Sequence, residues 1–211
     1  MNFQKDPLHN KIFETLRDRI VYRDYHPGMS LSEKELCEEF KVSRTPLREA
    51  IKKLEDMKLV TAIPRYGTYV APIDINEIRC AFEVKIKLEG LAGQLAARRI
   101  TVNKLKEINA LINQADFKEN HRTLIEIDAD FHEIIRQVIQ NPILQEILEN
   151  LHSRCARLWN SALGEIIPIE QVVDQLKEIY LALEKRDADK AGRLMESHVQ
   201  YFIDKIKNQL L

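Results

Sequence analysis

Between residues 26 and 72 the chain is cut into short segments by turn signals, and the residues at the cuts dictate what each segment becomes. "HPG" at 26–28 is a turn. Ser32 precedes Glu35 by three residues, the capping-box spacing, so a helix starts there and covers about 33–40. "KVS" is a tight connection, and Ser43 stands as a cap before "RTPLREAIKKLEDMK". Pro46 falls early in that helix, where a missing N–H costs little. Leu47, Ile51 and Leu54 supply its apolar face, and "LVTAI", "PRYG" and "TYVAP" read as two short strands around a turn. Upstream, Leu8, Ile12, Leu16, Ile20 and Val21 recur at helical spacing, giving a first helix over about 7–24. Three helices followed by a hairpin, with no room for long connections, is the grammar of a winged helix-turn-helix.

The grammar changes near residue 75. Pro72 stops a strand, Asp74 or Asn76 can cap the next helix, and "APIDIN" at 71–76 reads as a linker. Beyond it, amphipathic runs predict about six helices, over 77–99, 102–116, 119–140, 142–163, 168–185 and 187–210. The breaks are "NP" at 141–142, "EIIP" at 165–168 and "RDAD" at 186–189. Only 6 Gly and 7 Pro in 211 residues also favour helices over a turn-rich β fold. The expected fold is therefore mainly α: a winged helix-turn-helix of three helices and a two-stranded wing over 1–73, and an all-helical bundle over 77–211.

In a helix-turn-helix the second helix of the motif enters the major groove N-terminus first. Here that end carries Ser43, Arg44, Thr45 and Arg48. Arginine pairs bidentately with guanine O6 and N7, and small hydroxyls beside free helix-start N–H groups suit phosphate oxygens. Lys34 lies in the first turn of the preceding helix, near where a backbone would pass, and Arg65 and Gly67 form the tip of the wing. A formal net charge of −1 excludes a generally basic nucleic-acid coat, so any DNA contact must come from this local patch.

Other classes find little support. No apolar run approaches the ~18 residues of a membrane span, and the charged N-terminus does not read as a secretory signal, so a cytoplasmic protein without membrane partners is expected. Cys37, Cys80 and Cys155 form no CxxC pair, so neither a disulfide framework nor a zinc ribbon is indicated. Nucleophile motifs, a Gly-rich phosphate loop and HExxH are missing, which argues against an enzyme.

Two positions disturb the apolar stripes of the second region. Leu124, Ile127, Phe131, Ile135 and Val138 line one face of the third predicted helix there, and Asp128 and His132 fall on or beside it. At i and i+4 they point the same way, a spacing that suits two ligands of one metal and equally a hydrogen-bonded core pair. His198 interrupts the last stripe, formed by Leu194, Met195, Val199, Phe202, Ile203 and Ile206.

Residues 7–72 resemble the DNA-binding domain of the GntR family through Pro27-Gly28, Leu31 to Leu36, Val42 to Ile51 and Arg65 to Val70. Lys58 stands where that family often has glycine before the wing. The resemblance implies DNA contacts from Lys34, Ser43, Arg44, Thr45, Arg48, Arg65 and Gly67, and a bacterial homodimer on double-stranded operator DNA, acting as a repressor. Residues 77–211 resemble the FCD ligand-binding domain of the FadR subfamily through "FEVKIKLEGLAGQLAA", "DADFHEII", "NPIL" and "ALEKRDADKAGRLMESHV". That resemblance implies a small-molecule effector, an organic acid, held by a divalent metal (Zn, Ni or Mn) on one Asp and three His. Asp128, His132 and His198 match three ligand positions, but the fourth falls on Leu176. A three-ligand site and a metal-free pocket both remain open. Lys85 replaces an arginine that would face the effector, and Lys85, Arg154 and Arg157 are candidates for holding an acid.

Overall fold

The computed structural model describes residues 7–113, 121–162 and 169–210, and among these the chain forms nine helices and one small antiparallel sheet. The chain divides into two compact units, residues 1–78 with 153–160, and residues 79–152 with 161–211.

The first unit contains α1 (Pro7–Val21), β1 (Ser30–Leu31), α2 (Glu33–Phe40), α3 (Arg44–Asp56), β2 (Val60–Ile63) and β3 (Gly67–Val70). Each start has a local cause. Ser32 caps α2, its hydroxyl accepting from Glu35 N at 3.3 Å, and Lys41 closes α2 in the left-handed region at φ 55°. Along α3, Leu47, Ala50, Ile51 and Leu54 are buried at i, i+3, i+4 and i+7. They pack with Ile12, Phe13, Leu16 and Ile20 of α1 and with Leu36, Leu59, Val60 and Val70. Strands β2 and β3 pair from Val60↔Val70 to Ile63↔Gly67 around a turn in which Arg65 takes φ 68°. The wing has one strand more than the sequence predicts. Ser30 and Leu31 pair with Tyr69 and Thr68 on the other edge of β3, after a turn in which Gly28 adopts φ 82° and donates to Val70 O.

The second unit is built from α4 (Ile75–Arg99), α5 (Val102–Asn113), α6 (His121–Val138), α7 (Pro142–Ala162), α8 (Ile169–Glu184) and α9 (Ala188–Leu210), with the two ends of the division cutting through α4 and α7. Asp74 caps α4, accepting from Asn76 N at 2.8 Å, while Thr101, Asn141 and Asp187 cap α5, α7 and α9 in the same way. Helices α4 and α9 approach at their glycines: a Cβ on Gly93 would stand 2.8 Å from Ala191 O, and one on Gly192 3.0 Å from Gly90 O. The core gathers Ala96, Ile108, Phe131, Ile135, Leu148, Ile179 and Met195. The expected helix ends at 116 and 163, the starts at 119 and 168, the break at 165–168, and the side chains of Leu124 and Ile206 lie outside the described residues.

Candidate functional site

At the start of α3, Ser43, Arg44, Thr45 and Arg48 are all exposed, as are Lys34 on α2 and Arg65 and Gly67 at the wing tip. Ser43 holds the N-cap position, with φ −76° and ψ 169°, but its hydroxyl makes no capping hydrogen bond. The first N–H groups of α3 are thus not capped by it, and a helix start of that kind attracts anions. Arg48 is not idle in this structure. Its Nε lies 3.1 Å from both carboxylate oxygens of Glu33, and its Nη2 lies 3.0 Å from one of them. A contact through the Nε–Nη2 edge of Arg48 would have to displace Glu33, while its Nη1 stays open, and Arg44 and Arg65 carry no carboxylate partner among the described residues.

In the helical unit, α6 and α9 bring Asp128, His132 and His198 together, with one ligand atom of each within 4.8 Å of the others. His198 Nε2 lies 2.9 Å from Asp128 Oδ1, and His132 Nε2 lies 3.9 Å from Asp128 Oδ2. The outer nitrogens face oxygens from two further helices. His198 Nδ1 is 2.8 Å from Gln175 Oε1 on α8. His132 Nδ1 is 3.1 Å from Glu89 Oε1 on α4, although off the line of a hydrogen bond. Glu89 is in turn paired at 2.8 Å with Lys85, both buried. An amide oxygen can only accept, so Gln175 favours a proton on His198 Nδ1 and leaves Nε2 to face Asp128. Two acceptors 2.9 Å apart need a cation or a proton between them.

Electrostatics agree with that geometry. Burial pushes the Asp128 carboxyl up, but His132 and His198 outweigh it and hold it well below the usual carboxylate range. Burial likewise raises Glu89, and His132 and Lys85 together reverse the shift. His132 is lowered, chiefly by burial. His152 on α7, whose ring centroid lies 5.8 Å from that of His132, is also lowered, first by burial and then by Arg136 and Lys85. The cluster thus sets two carboxylates, both held ionised, against Lys85 and the imidazoles around them.

This donor set fits a divalent metal. Bonds of about 2.0–2.2 Å meeting near tetrahedral angles place ligand atoms roughly 3.3–3.6 Å apart, and one ligand atom of each residue already lies within 4.8 Å of the others, so small side-chain shifts would bring them onto one ion. Carboxylate or amide oxygens behind metal-binding histidines are the usual means of fixing their tautomer. Among the described residues no other group of this kind occurs.

Two family models match the sequence: residues 8–70 match "Bacterial regulatory proteins, gntR family", and residues 80–201 match the FCD domain. The chain belongs to the GntR family. It is 29% identical over 204 residues to the HTH-type transcriptional repressor RspR of Escherichia coli K12, covering 95% of this chain and 90% of the relative. It is 28% identical over 204 residues to the galactonate operon transcriptional repressor of the same organism, covering 86% and 89%. Its fold is similar to that of E. coli McbR/YncC, with a TM-score of 0.84 over 98% of this chain and all of the other, at 23% identity. The chain is thus a transcription regulator of the GntR family, with a winged helix-turn-helix and an FCD domain. None of its helices, among the described residues, is long and apolar enough to cross a membrane.

Within that family, two expectations meet particular residues. Leu176, where the fourth ligand would fall, is 0% exposed and packs in the core, while its neighbour Gln175 supplies the oxygen on His198. Arg154 and Arg157, expected beside Lys85, belong to the other compact unit. There Arg154 donates to Met57 O at 3.2 Å and pairs with Glu77 at 2.8 Å. Arg157 donates to Ala71 O, and burial lowers it to about 10. Both arginines take carbonyls of their own unit, with which the stretch 153–160 of α7 packs. Glu89, Gln175, His152 and Arg136 were not singled out by the sequence. Only Glu89 left a signal there, one turn from Lys85.

Proposed function

We propose that this regulator is a homodimeric repressor whose affinity for operator DNA is set by a small organic acid bound in its helical domain. Residues 1–73 would form the DNA-binding domain and 77–211 the effector-binding and dimerisation domain, in the cytoplasm and without catalytic activity. Lys34, Ser43, Arg44, Thr45, Arg48, Arg65 and Gly67 are the proposed DNA contacts. What supports the reading is their exposure at one helix start and one wing tip, together with the uncapped hydroxyl of Ser43.

The observation that carries effector control is the convergence of Asp128, His132 and His198, with both Nε2 atoms turned toward one carboxylate. These three residues would hold a divalent metal. Bound there, it would supply a Lewis-acidic, positive centre to which a carboxylate can attach. Gln175 would keep His198 in the ligating tautomer, and Lys85 would offset Glu89. An effector changes operator affinity only by as much as its own affinity differs between the DNA-bound and free states.

The test has two parts. Operator fragments are selected by the purified chain from a random DNA pool, and anisotropy titrations then compare wild type with Arg44→Ala/Arg48→Ala. Metal content is measured on untagged protein and on Asp128→Ala. Near-stoichiometric metal that vanishes in the mutant, and operator affinity lost in the double variant, are expected. Equal operator affinity with and without every organic acid tried would sink effector control.

A further inference from the structure

The tip of the wing is held in a conformation that its own residues do not favour. Tyr66 N donates to Ile63 O at 3.0 Å and closes a four-residue turn with Pro64 and Arg65 at its centre. Proline suits the first central place, but Arg65 takes φ 68° at the second, a left-handed conformation that favours glycine or asparagine. Tyr69 Oη donates to Tyr66 O at 3.2 Å, and Gly67 follows at φ 126°, so the turn is fixed from both sides. A strained residue persists only where its surroundings hold it, and such residues gather at binding sites. What this turn presents is Tyr66. At 79% it is the most exposed of the large hydrophobic side chains among the described residues, and Ile63, at the other end of the turn, is 44% exposed. The ring stands between Arg65 and Gly67, the two proposed DNA contacts of the wing.

We propose that Tyr66 is a specificity-determining DNA contact, its ring entering the minor groove beside the bases read by α3, so that operator affinity depends on A·T pairs there. This rests on the DNA-contact reading of α3 and the wing, and adds to it a base preference outside the major groove. The hairpin starts at Val60, four residues after α3 ends, so a unit that seats the start of α3 in the major groove carries its wing over the flanking backbone. A phenol is a flat apolar body with a hydrogen-bonding hydroxyl at its end. The minor groove is about 6 Å wide, and its floor shows only acceptors at A·T pairs, adenine N3 and thymine O2. At G·C pairs the guanine N2 amino group stands there instead. A ring entering edge-on thus meets an acceptor for its hydroxyl on A·T and an obstruction on G·C. A neutral phenol releases no counterions, so it sets base preference without adding to salt dependence.

The experiment is an anisotropy titration of the full chain on a duplex that the wild type selects from a random pool. Each A·T pair flanking the bases under α3 is replaced by G·C and, separately, by inosine·C, which lacks the N2 amino group and keeps the guanine face of the major groove. On wild type, G·C at one or more of these pairs is expected to weaken binding about 5–20-fold, the scale of one lost base contact, and inosine·C to restore affinity to within about twofold. In Tyr66→Ala the G·C penalty falls to within about twofold, the slope of affinity against salt is unchanged, and a substitution under α3 costs as much as in wild type. The side chain stands largely in solvent, so the variant should keep the urea midpoint of wild type. G·C tolerated or selected at every flanking pair, inosine·C costing as much as G·C, or a penalty that survives in Tyr66→Ala overturns the role of Tyr66. If Arg44→Ala/Arg48→Ala still loses operator affinity, the DNA-contact reading stands without it. Failure of the wild type to select any duplex overturns both.

Discussion

Gln175→Leu tests whether the amide on α8 positions His198. The amide oxygen lies 2.8 Å from His198 Nδ1, and His198 is almost fully buried, so no solvent stands ready to replace it. Leucine leaves the N–H of Nδ1 unmet in a dry setting. The imidazole can then recover only by moving its proton to Nε2, which removes the lone pair that faces Asp128 at 2.9 Å. Losing the hydrogen bond behind a metal-binding histidine typically costs 10–100-fold in metal affinity, equivalent to about 1.4–2.7 kcal/mol. Gln175→Glu keeps an acceptor and should hold affinity within a few-fold of wild type. The assay is competition for zinc against a chromophoric chelator, with circular dichroism to show that each variant is folded. Affinity of Gln175→Leu within twofold of wild type would refute the argument that this amide sets the tautomer.

Three other outcomes derive from the geometry. Lys58 closes α3 in the left-handed region at φ 60°, with Leu59 N donating to Leu54 O, so Lys58→Gly should stabilise the chain by about 0.5–1 kcal/mol in urea unfolding, with no gain counting against the strain. His132 and His152 have folded-state values below 6.5, so the unfolded chain takes up protons first as the pH drops. Stability is therefore full above about pH 6.5 and is lost below it, at up to about 1.4 kcal/mol per pH unit for each histidine. In chelator-treated protein His152→Gln should roughly halve that slope between pH 6.5 and 5.5, and equal slopes would exclude His152 as a contributor. At the α4–α9 crossing a Cβ on Gly93 meets the backbone of Ala191, whereas one on Gly90 meets the side chain of Glu196 from Cγ outward, which can swing away. Gly93→Ala should thus be less stable than Gly90→Ala by about 1–3 kcal/mol, and the reverse order of urea midpoints would contradict the packing.

Much of the DNA-binding unit was legible because its determinants are local. Ser32 and Ser43 mark helix starts within one turn of themselves, and the apolar positions of α3 repeat at 3 and 4. Strand β1 was not legible, because two residues have no periodicity and Ser30 and Leu31 become a strand only by pairing with β3. The candidate site divides in the same way. Asp128 and His132 announce themselves at i and i+4, and His198 by breaking an apolar stripe. Glu89, Gln175 and His152 matter through helices that are distant in sequence, which one-dimensional spacing cannot show. Arg154 and Arg157 look like any helical arginines until the carbonyls of Met57 and Ala71 are seen to take them.

Position 176 holds the sharpest contrast between pattern and structure. The family resemblance puts a histidine ligand there, and leucine reads as a loss. Yet Leu176 is sealed in the core while the residue before it turns an amide oxygen to His198. One step along a helix rotates a side chain by about 100°, enough to exchange a position that ligates for one that orients. Three protein ligands with a fixed tautomer leave a tetrahedral ion one open position, which is the arrangement by which metal sites admit an exogenous oxygen. On that argument leucine at 176 changes what the site can receive rather than abolishing it.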